Sequence, residues 1–229
     1  MNELLSIGIV PVLITLLAYQ MGLFCQKTFK SPIFNPILIG VILVILTLKL
    51  TGMGIPQYQS GMGILSWLMT PATICLAVPM YEQFQALRRN LKGILIGVAA
   101  GAAACIALVL VLCTVLALDR NLTLSLLPKS VTAAIGVPLC ELLGGTPSLT
   151  TVSISITGII GNMLGTAFCK WFGITDDIAK GVAFGVGSHV IGTARANELS
   201  PLIGAVSSLS LVIAGLLTAV ILPLLVGIL

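Results

Sequence analysis

From Gly93 to Leu118 the chain carries no charged residue, and a helix needs about 20 apolar residues to cross the hydrocarbon core of a bilayer. Comparable runs occur at 4–24, 33–50, 64–80, 122–143, 149–172, 178–195 and 201–227, which makes eight within 229 residues, joined by short polar or Gly/Pro connections. Only 8% of the residues are charged and 58% are apolar, whereas an ordinary soluble domain is roughly a quarter charged. Too little polar surface remains to face water. The sequence therefore predicts an all-α fold: a polytopic transmembrane helical bundle of about eight membrane segments, some broken or re-entrant, forming a single integral membrane domain over 1–229. The lipid bilayer is its first partner. Its eleven Lys and Arg residues are scattered rather than clustered, which argues against nucleic acid.

The six cysteines lack metal-like spacing and mostly sit in apolar runs, where they read as small core residues. The start, Met1-Asn2-Glu3, is acidic and leads into a run too long for a signal peptide, so that run reads as a retained first span. Arg88-Arg89-Asn90-Leu91-Lys92 is the strongest basic cluster, and the positive-inside rule puts it in the cytoplasm. If all eight runs cross, Lys27, Lys30 and Arg195 share that side, both termini face outward, and Lys49, Arg120, Lys170 and Lys180 lie opposite. The runs at 93–118 and 201–227 read as plain helices.

Three runs do not. They contain Pro71 to Pro79, Pro128-Lys129-Ser130-Val131-Thr132 followed by Pro138, and Gly185-Val186-Gly187-Ser188-His189-Val190-Ile191-Gly192-Thr193. Non-helical backbone at membrane depth survives only where protein or a watery cavity satisfies it, so these are the candidate site segments. Val78-Pro79-Met80-Tyr81-Glu82 is similar to Val137-Pro138-Leu139-Cys140-Glu141, and each precedes a helix with paired glycines, Gly97/Gly101 and Gly161/Gly165. This gives an internal repeat around 64–118 and 122–172. With eight crossings the two units run parallel, and an inverted repeat requires one segment to be re-entrant.

A lysine inside an apolar span is costly unless it faces a cavity, an acid or an anion. Lys129 therefore either contacts an anion or snorkels to the headgroups; Ser130 and Thr132 either line the same opening or bond back to their own helix. On a helix Ser188 lies over Gly192 and His189 over Thr193, two polar strips with little bulk. His189, the single histidine, either binds an anion or a proton or bonds a neighbouring carbonyl. Arg195 either clasps a carboxylate or pairs with Glu198 as an interfacial anchor. Gly144 to Thr150 either offers backbone amides to an anion or is a tight turn with Ser148 as helix cap. Gly161/Gly165 and Gly181/Gly185 read as close-packing faces. No nucleophile elbow, zinc motif or paired acids appear, so no catalytic residue, metal or cofactor is expected.

The order Leu127-Pro128-Lys129-Ser130-Val131-Thr132, Gly144-Gly145-x-Pro147-x-Leu149-Thr150, Thr157-Gly158-x-x-Gly161 and Ser188-His189-x-Ile191-Gly192-Thr193-Ala194-Arg195-Ala196 resembles the LrgB/CidB family of bacterial membrane proteins, and within it the YohK-type members. The resemblance spans the chain and is densest over 122–229. Ala133-Ala134 stands where many relatives have Thr-Pro, which alters the opening near Lys129. The resemblance implies a multi-pass protein of the bacterial cytoplasmic (inner) membrane, working beside a small LrgA/CidA-type membrane protein. The plastidal glycolate/glycerate translocator looks like a fusion of both parts, and bacterial members are linked to pyruvate. Others were named antiholin-like or holin-like modulators of murein hydrolase activity and lysis.

The resulting expectation is a transporter, or transporter core subunit, for small monocarboxylates such as pyruvate, glycolate or glycerate. Lys129, His189 and Arg195 would supply positive charge to the organic anion, Ser130, Thr132, Ser188 and Thr193 hydrogen bonds, and Gly192 close backbone approach. The alternative is an antiholin/holin-like protein acting by assembly, a homo-oligomer whose contacts are Gly97, Gly101, Gly161 and Gly165. A scaffold for the small partner is a third reading.

Overall fold

No water reaches backbone amides inside a bilayer, so apolar runs must close their hydrogen bonds internally. In the computed structural model, which describes residues 9–29 and 34–227, they do so as helices, with no strand among the described residues. Met1-Asn2-Glu3, Lys30 and Ile33 lie outside the described residues. Internal contacts divide the chain into two units between Cys75 and Leu76.

The first unit contains α1 (Ile9–Phe29), α2 (Pro36–Thr51), α3 (Ile55–Gly61) and α4 (Gly63–Cys75). Asn35 caps α2 by accepting from the Ile37 and Leu38 amides at 2.9 and 3.3 Å, and Gly52 ends it with a left-handed φ of 68°. The chain then bends by 119° into α3. Thr15 and Tyr58 share a 2.6 Å hydrogen bond that ties α1 to α3. Pro71 lies within α4 and Ile74 is exposed, so this proline-marked run has the surface of a lipid-facing helix.

The second unit is built on three crossing helices. The short α5 (Ala77–Glu82) leads into α6 (Phe84–Val115), which runs parallel to the last helix, α11 (Pro201–Val226). Leu87, Ile94 and Val98 are buried with Ala205, Val206 and Ala214, and further along Ile106, Val109 and Cys113 are buried with Leu222. The third crossing is α9 (Pro147–Trp171), whose N-cap is Thr146 rather than Ser148.

Residues 120–143 do not cross. They form α7 (Arg120–Leu126), a 3-10 turn (Leu127–Ser130) and α8 (Ala133–Leu143). Asp119 caps α7 by accepting from the Leu122 amide at 2.7 Å, extended backbone at Val131 and Thr132 breaks the helix, and Gly144 closes α8 with a φ of 80°. Entry and exit then meet. Asn121 Nδ2 donates to Gly144 O (3.2 Å), the Thr146 amide and hydroxyl donate to Ser125 Oγ (2.7 Å) and Asn121 Oδ1 (2.8 Å), and Thr150 Oγ1 donates to Ser125 O (2.7 Å). We call this hairpin 1.

Helix α10 (Asp177–Leu199) also doubles back. A straight helix of 23 residues would separate its ends by about 34 Å, yet Asp177 and Lys180 line the same cavity as Leu199 and Ser200. The reversal falls at His189, where φ is 43° and ψ is −139°. A methyl group on Gly192 would lie 2.9 Å from Phe184 O, a contact open only to antiparallel arms. This is hairpin 2. Arms of 11 or 12 residues reach about 16–18 Å, half the hydrocarbon thickness, so the tips stop near mid-membrane.

The hairpins enter from opposite faces, because hairpin 1 is bonded to the start of α9 and the base of hairpin 2 shares its cavity with Cys169 and Lys170 at the other end. The re-entrant segments expected from the sequence are thus the runs at 122–143 and 178–195. Among the described residues five helices are long and apolar enough to cross, six if α2 and α3 form one bent span. Re-entrance also corrects the charge map: Lys170 and Lys180 lie at the Arg88, Arg89, Lys92 and Arg195 end, since Leu87 clusters with Leu202 and Ile178. Arg120 lies at the opposite end, beside the base of hairpin 1. The positive-inside rule puts the six-cation end in the cytoplasm.

Candidate functional site at the hairpin tips

The first arm of hairpin 2 is a helix with three faces, each seated on glycine. Gly97 and Gly101 of α6 receive Val182 and Val186; Gly161 and Gly165 of α9 receive Ser188 and Phe184; the arm's own Gly181 and Gly185 lie against Ile203 to Leu211 of α11. These small residues let four helical segments approach closely. All three glycine pairs singled out in the sequence are therefore occupied inside the chain.

At the tip, His189 is 3% exposed. Its Nε2 donates to Ile154 O at 3.0 Å, and because a carbonyl only accepts, Nε2 carries the proton. Ile154 also joins the other tip: a methyl on Gly136 would lie 2.7 Å from Ile154 Cδ1 and 3.2 Å from Pro128 O. One turn of α9 thus holds both reversals. Lys129, on the 3-10 turn, is half-buried and its Nζ donates to Ser130 Oγ at 3.2 Å. Thr132, also half-buried, is the N-cap of α8, and its hydroxyl makes no cap bond.

Beyond the tip, Thr193 Oγ1 is fully buried, donates to His189 O (2.9 Å) and shares a hydrogen bond with Ser207 Oγ (2.8 Å). Asn162 Nδ2 donates to Ile191 O at 2.9 Å. Gly192 packs on Phe184 and Ser188. Arg195 stands apart from this group, 34% exposed and paired with Glu198 one turn away. Lys129, Ser130, Ser188, His189, Gly192 and Thr193 belong to the region where the tips meet; Arg195 lies toward the membrane surface.

The sequence reading missed the buried face of α11. Ser207, Ser208, Ser210 and Thr218 are all buried there, and the hydroxyls of Ser208 and Ser210 have no partner among the described atoms. The signal was present as Ser207-Ser208-x-Ser210 between Gly204 and Gly215, hidden by the surrounding Leu, Ile and Val. No group of three His, Cys, Asp or Glu side chains that could hold a metal occurs among the described residues.

Crossing helices, opposed re-entrant hairpins and a polar junction at mid-depth define a multi-pass helical membrane protein. The chain belongs to the LrgB-like family, whose model matches residues 15–228. It is 31% identical over 226 residues to the holin-like protein CidB of Staphylococcus epidermidis, covering 99% of this chain and 98% of that one. It is 32% identical over 221 residues to the uncharacterized protein YwbG of Bacillus subtilis, covering 96% and 98%. No solved structure matches it. Family and fold make it a protein of the bacterial cytoplasmic membrane, where helical bundles rather than barrels reside.

Proposed function

We propose that the protein is a transporter, or the core subunit of one, for small monocarboxylates such as pyruvate, glycolate or glycerate, acting without a chemical step and beside an LrgA/CidA-type partner. The observation that carries this reading is the meeting of two re-entrant tips, one from each face, at Ile154 of α9. A solute held there is half a membrane from either side. Broken helices with polar residues at the midplane are how secondary transporters build sites, and a cation among them selects anions. Lys129 supplies the charge; Ser130, Thr132 and Ser188 supply hydroxyls; His189 and Thr193 hold the second tip in shape. Arg195 acts nearer the surface.

The test is uptake of labelled pyruvate and glycolate into vesicles containing the protein with and without its partner. Replacing Lys129 by Ala lowers uptake by about tenfold or more, because a charge-assisted hydrogen bond is worth roughly 1.5–3 kcal/mol. Uptake equal to wild type in both Lys129→Ala and His189→Ala would remove this site.

The second reading, lysis control by assembly, draws on the printed name of the holin-like relative. It requires an exposed self-association face. The glycines offered for that role, Gly97, Gly101, Gly161 and Gly165, are filled by Val182, Val186, Ser188 and Phe184, which favours the carrier.

A further inference from the structure

Two cavities lie along hairpin 2 on its cytoplasmic half. The outer one, about 500 Å³, is lined by Lys170, Lys180, Asp177, Thr166 and Ser200; the inner one, about 300 Å³, reaches Gly161, Gly187 and Ser188. They share Cys169, Ile174 and Phe184. The Phe184 side chain is 2% exposed and lodged in the space left by Gly165, so it stands where one cavity gives way to the next. The floor of the inner cavity, Ser188, is the residue before His189. We propose that the outer cavity is a cytoplasmic vestibule for a small carboxylate and that the Phe184 ring is the gate between it and the hairpin tips.

The chemistry of the walls fits an anion entering from water. Asp177 takes Lys180 at 2.9 Å, while Lys170 has no carboxylate partner among the described residues and keeps its charge for a solute. Thr166 Oγ1 is buried at the vestibule wall with no hydrogen-bond partner, a hydroxyl left to donate to an incoming oxygen. Deeper in, the walls turn apolar, with Gly161, Gly165 and Phe184 on the inner side and the exposed Ile160, Phe168 and Phe172 on the outer side, so a solute passes from a cationic rim along an apolar stretch to Ser188. Displacing the ring from its seat at Gly165 opens this stretch, and Gly187, where an added Cβ would meet nothing within 4 Å, leaves open space on the same arm. The identity of the ligand rests on the carrier reading above; the route and the gate do not.

Cys169 lies at the junction of the two cavities and serves as a native reporter. The full-length protein, with its other five cysteines replaced by Ser, is placed in inside-out and right-side-out vesicles and treated with anionic and cationic methanethiosulfonates. With each rate divided by that reagent's rate on a free thiol, Cys169, which is 6% exposed, reacts slowly but prefers the anionic reagent over the cationic one on the order of tenfold, and only from the cytoplasmic face. Lys170→Gln abolishes that preference. A second reporter, Ser188→Cys in a chain with Cys169→Ser, reacts slowly with Phe184 in place and on the order of tenfold faster with Phe184→Ala. Comparable Tm values and monodisperse elution exclude misfolding.

Ser188→Cys labelling that is independent of Phe184, or that comes from the outer face, overturns the gate even if carboxylate uptake is intact. Gated labelling with no carboxylate taken up overturns the carrier reading and leaves the gate standing. Suppression of Cys169 labelling in phosphatidylglycerol but not phosphatidylcholine vesicles makes the occupant a lipid headgroup and overturns the vestibule.

Discussion

The two hairpins solve one problem, turning a helix inside a membrane, by different means. Hairpin 1 reverses through a 3-10 turn and two extended residues, and its base is laced by side-chain hydrogen bonds from Asn121, Thr146 and Thr150. Hairpin 2 reverses at His189 alone; among the described residues no side-chain hydrogen bond joins its two arms. Glycine seats on α6 and α9, and its own Gly181 and Gly185 set against α11, hold it instead. Directional bonds tolerate changes of volume but not of polarity, and close packing the reverse. Hairpin 1 therefore has the makings of a fixed wall, and hairpin 2, flanked by cavities, of a part whose fit depends on shape.

That contrast breaks first on volume. Gly181→Val drives a side chain into Val206 and Ile203 O, backbone included, and overpacking of this kind costs about 3 kcal/mol. The expected outcome is a large fall in Tm measured in detergent. Gly93→Ala, on the same α6 as Gly97 but with nothing within 4 Å, leaves Tm unchanged or raises it slightly. If the two substitutions behave alike, hairpin 2 is not held by packing.

The next effect is polar. Ser125 is fully buried, accepts from the Thr146 amide and donates to Asn121 O at 2.7 Å. Ser125→Ala orphans that amide and costs about 1–2 kcal/mol, near the upper range for hydrogen bonds in membranes. Hydrogen exchange at Thr146 and Thr150 reports it locally; unchanged protection there would mean that the clasp does not fix hairpin 1.

A third comparison isolates the tip of hairpin 2. A φ of 43° costs a residue with a Cβ about 1–3 kcal/mol, which His189 bears while bonding Ile154 O. His189→Ala keeps the strain and loses the bond; His189→Gly loses both. The glycine variant is expected to be more stable than the alanine variant by about 1 kcal/mol in denaturant melts. Equal stabilities would mean that the backbone at this position relaxes away from the left-handed region.

Both tips were legible from sequence because Pro128 to Thr132 and Gly187 to Thr193 interrupt apolar runs with polar residues and helix breakers, and such groups have few places to go in lipid. The direction of the chain after each tip was not. Hydropathy measures how long a segment is, and two half-length arms add up to one full-length span, so 122–143 and 178–195 read as crossings. On that eight-crossing count Lys170 and Lys180 fall opposite Arg88, whereas re-entrance returns them to its end of the unit. The Ser207, Ser208 and Ser210 face of α11 stayed hidden because long apolar neighbours dominate any average over the helix. The glycine pairs were recognised as packing faces, but their partners, Val182 to Ser188, could only come from the fold.

The smallest effect is where the contrast should vanish. Each hairpin opens with an aspartate cap of the same kind: Asp119 accepts from the Leu122 amide at 2.7 Å and Asp176 from the Ala179 amide at 2.8 Å. Both lie outside the apolar runs, at opposite ends of the unit. Each satisfies one orphan donor and places negative charge at a helix N-terminus. Asp119→Ala and Asp176→Ala should each cost about 1 kcal/mol and should add when combined, because the caps lie at opposite membrane faces and share no partner. A double variant much less stable than the sum would show that the bases of the two hairpins are coupled through the tips, so that loosening one hairpin makes the other more vulnerable.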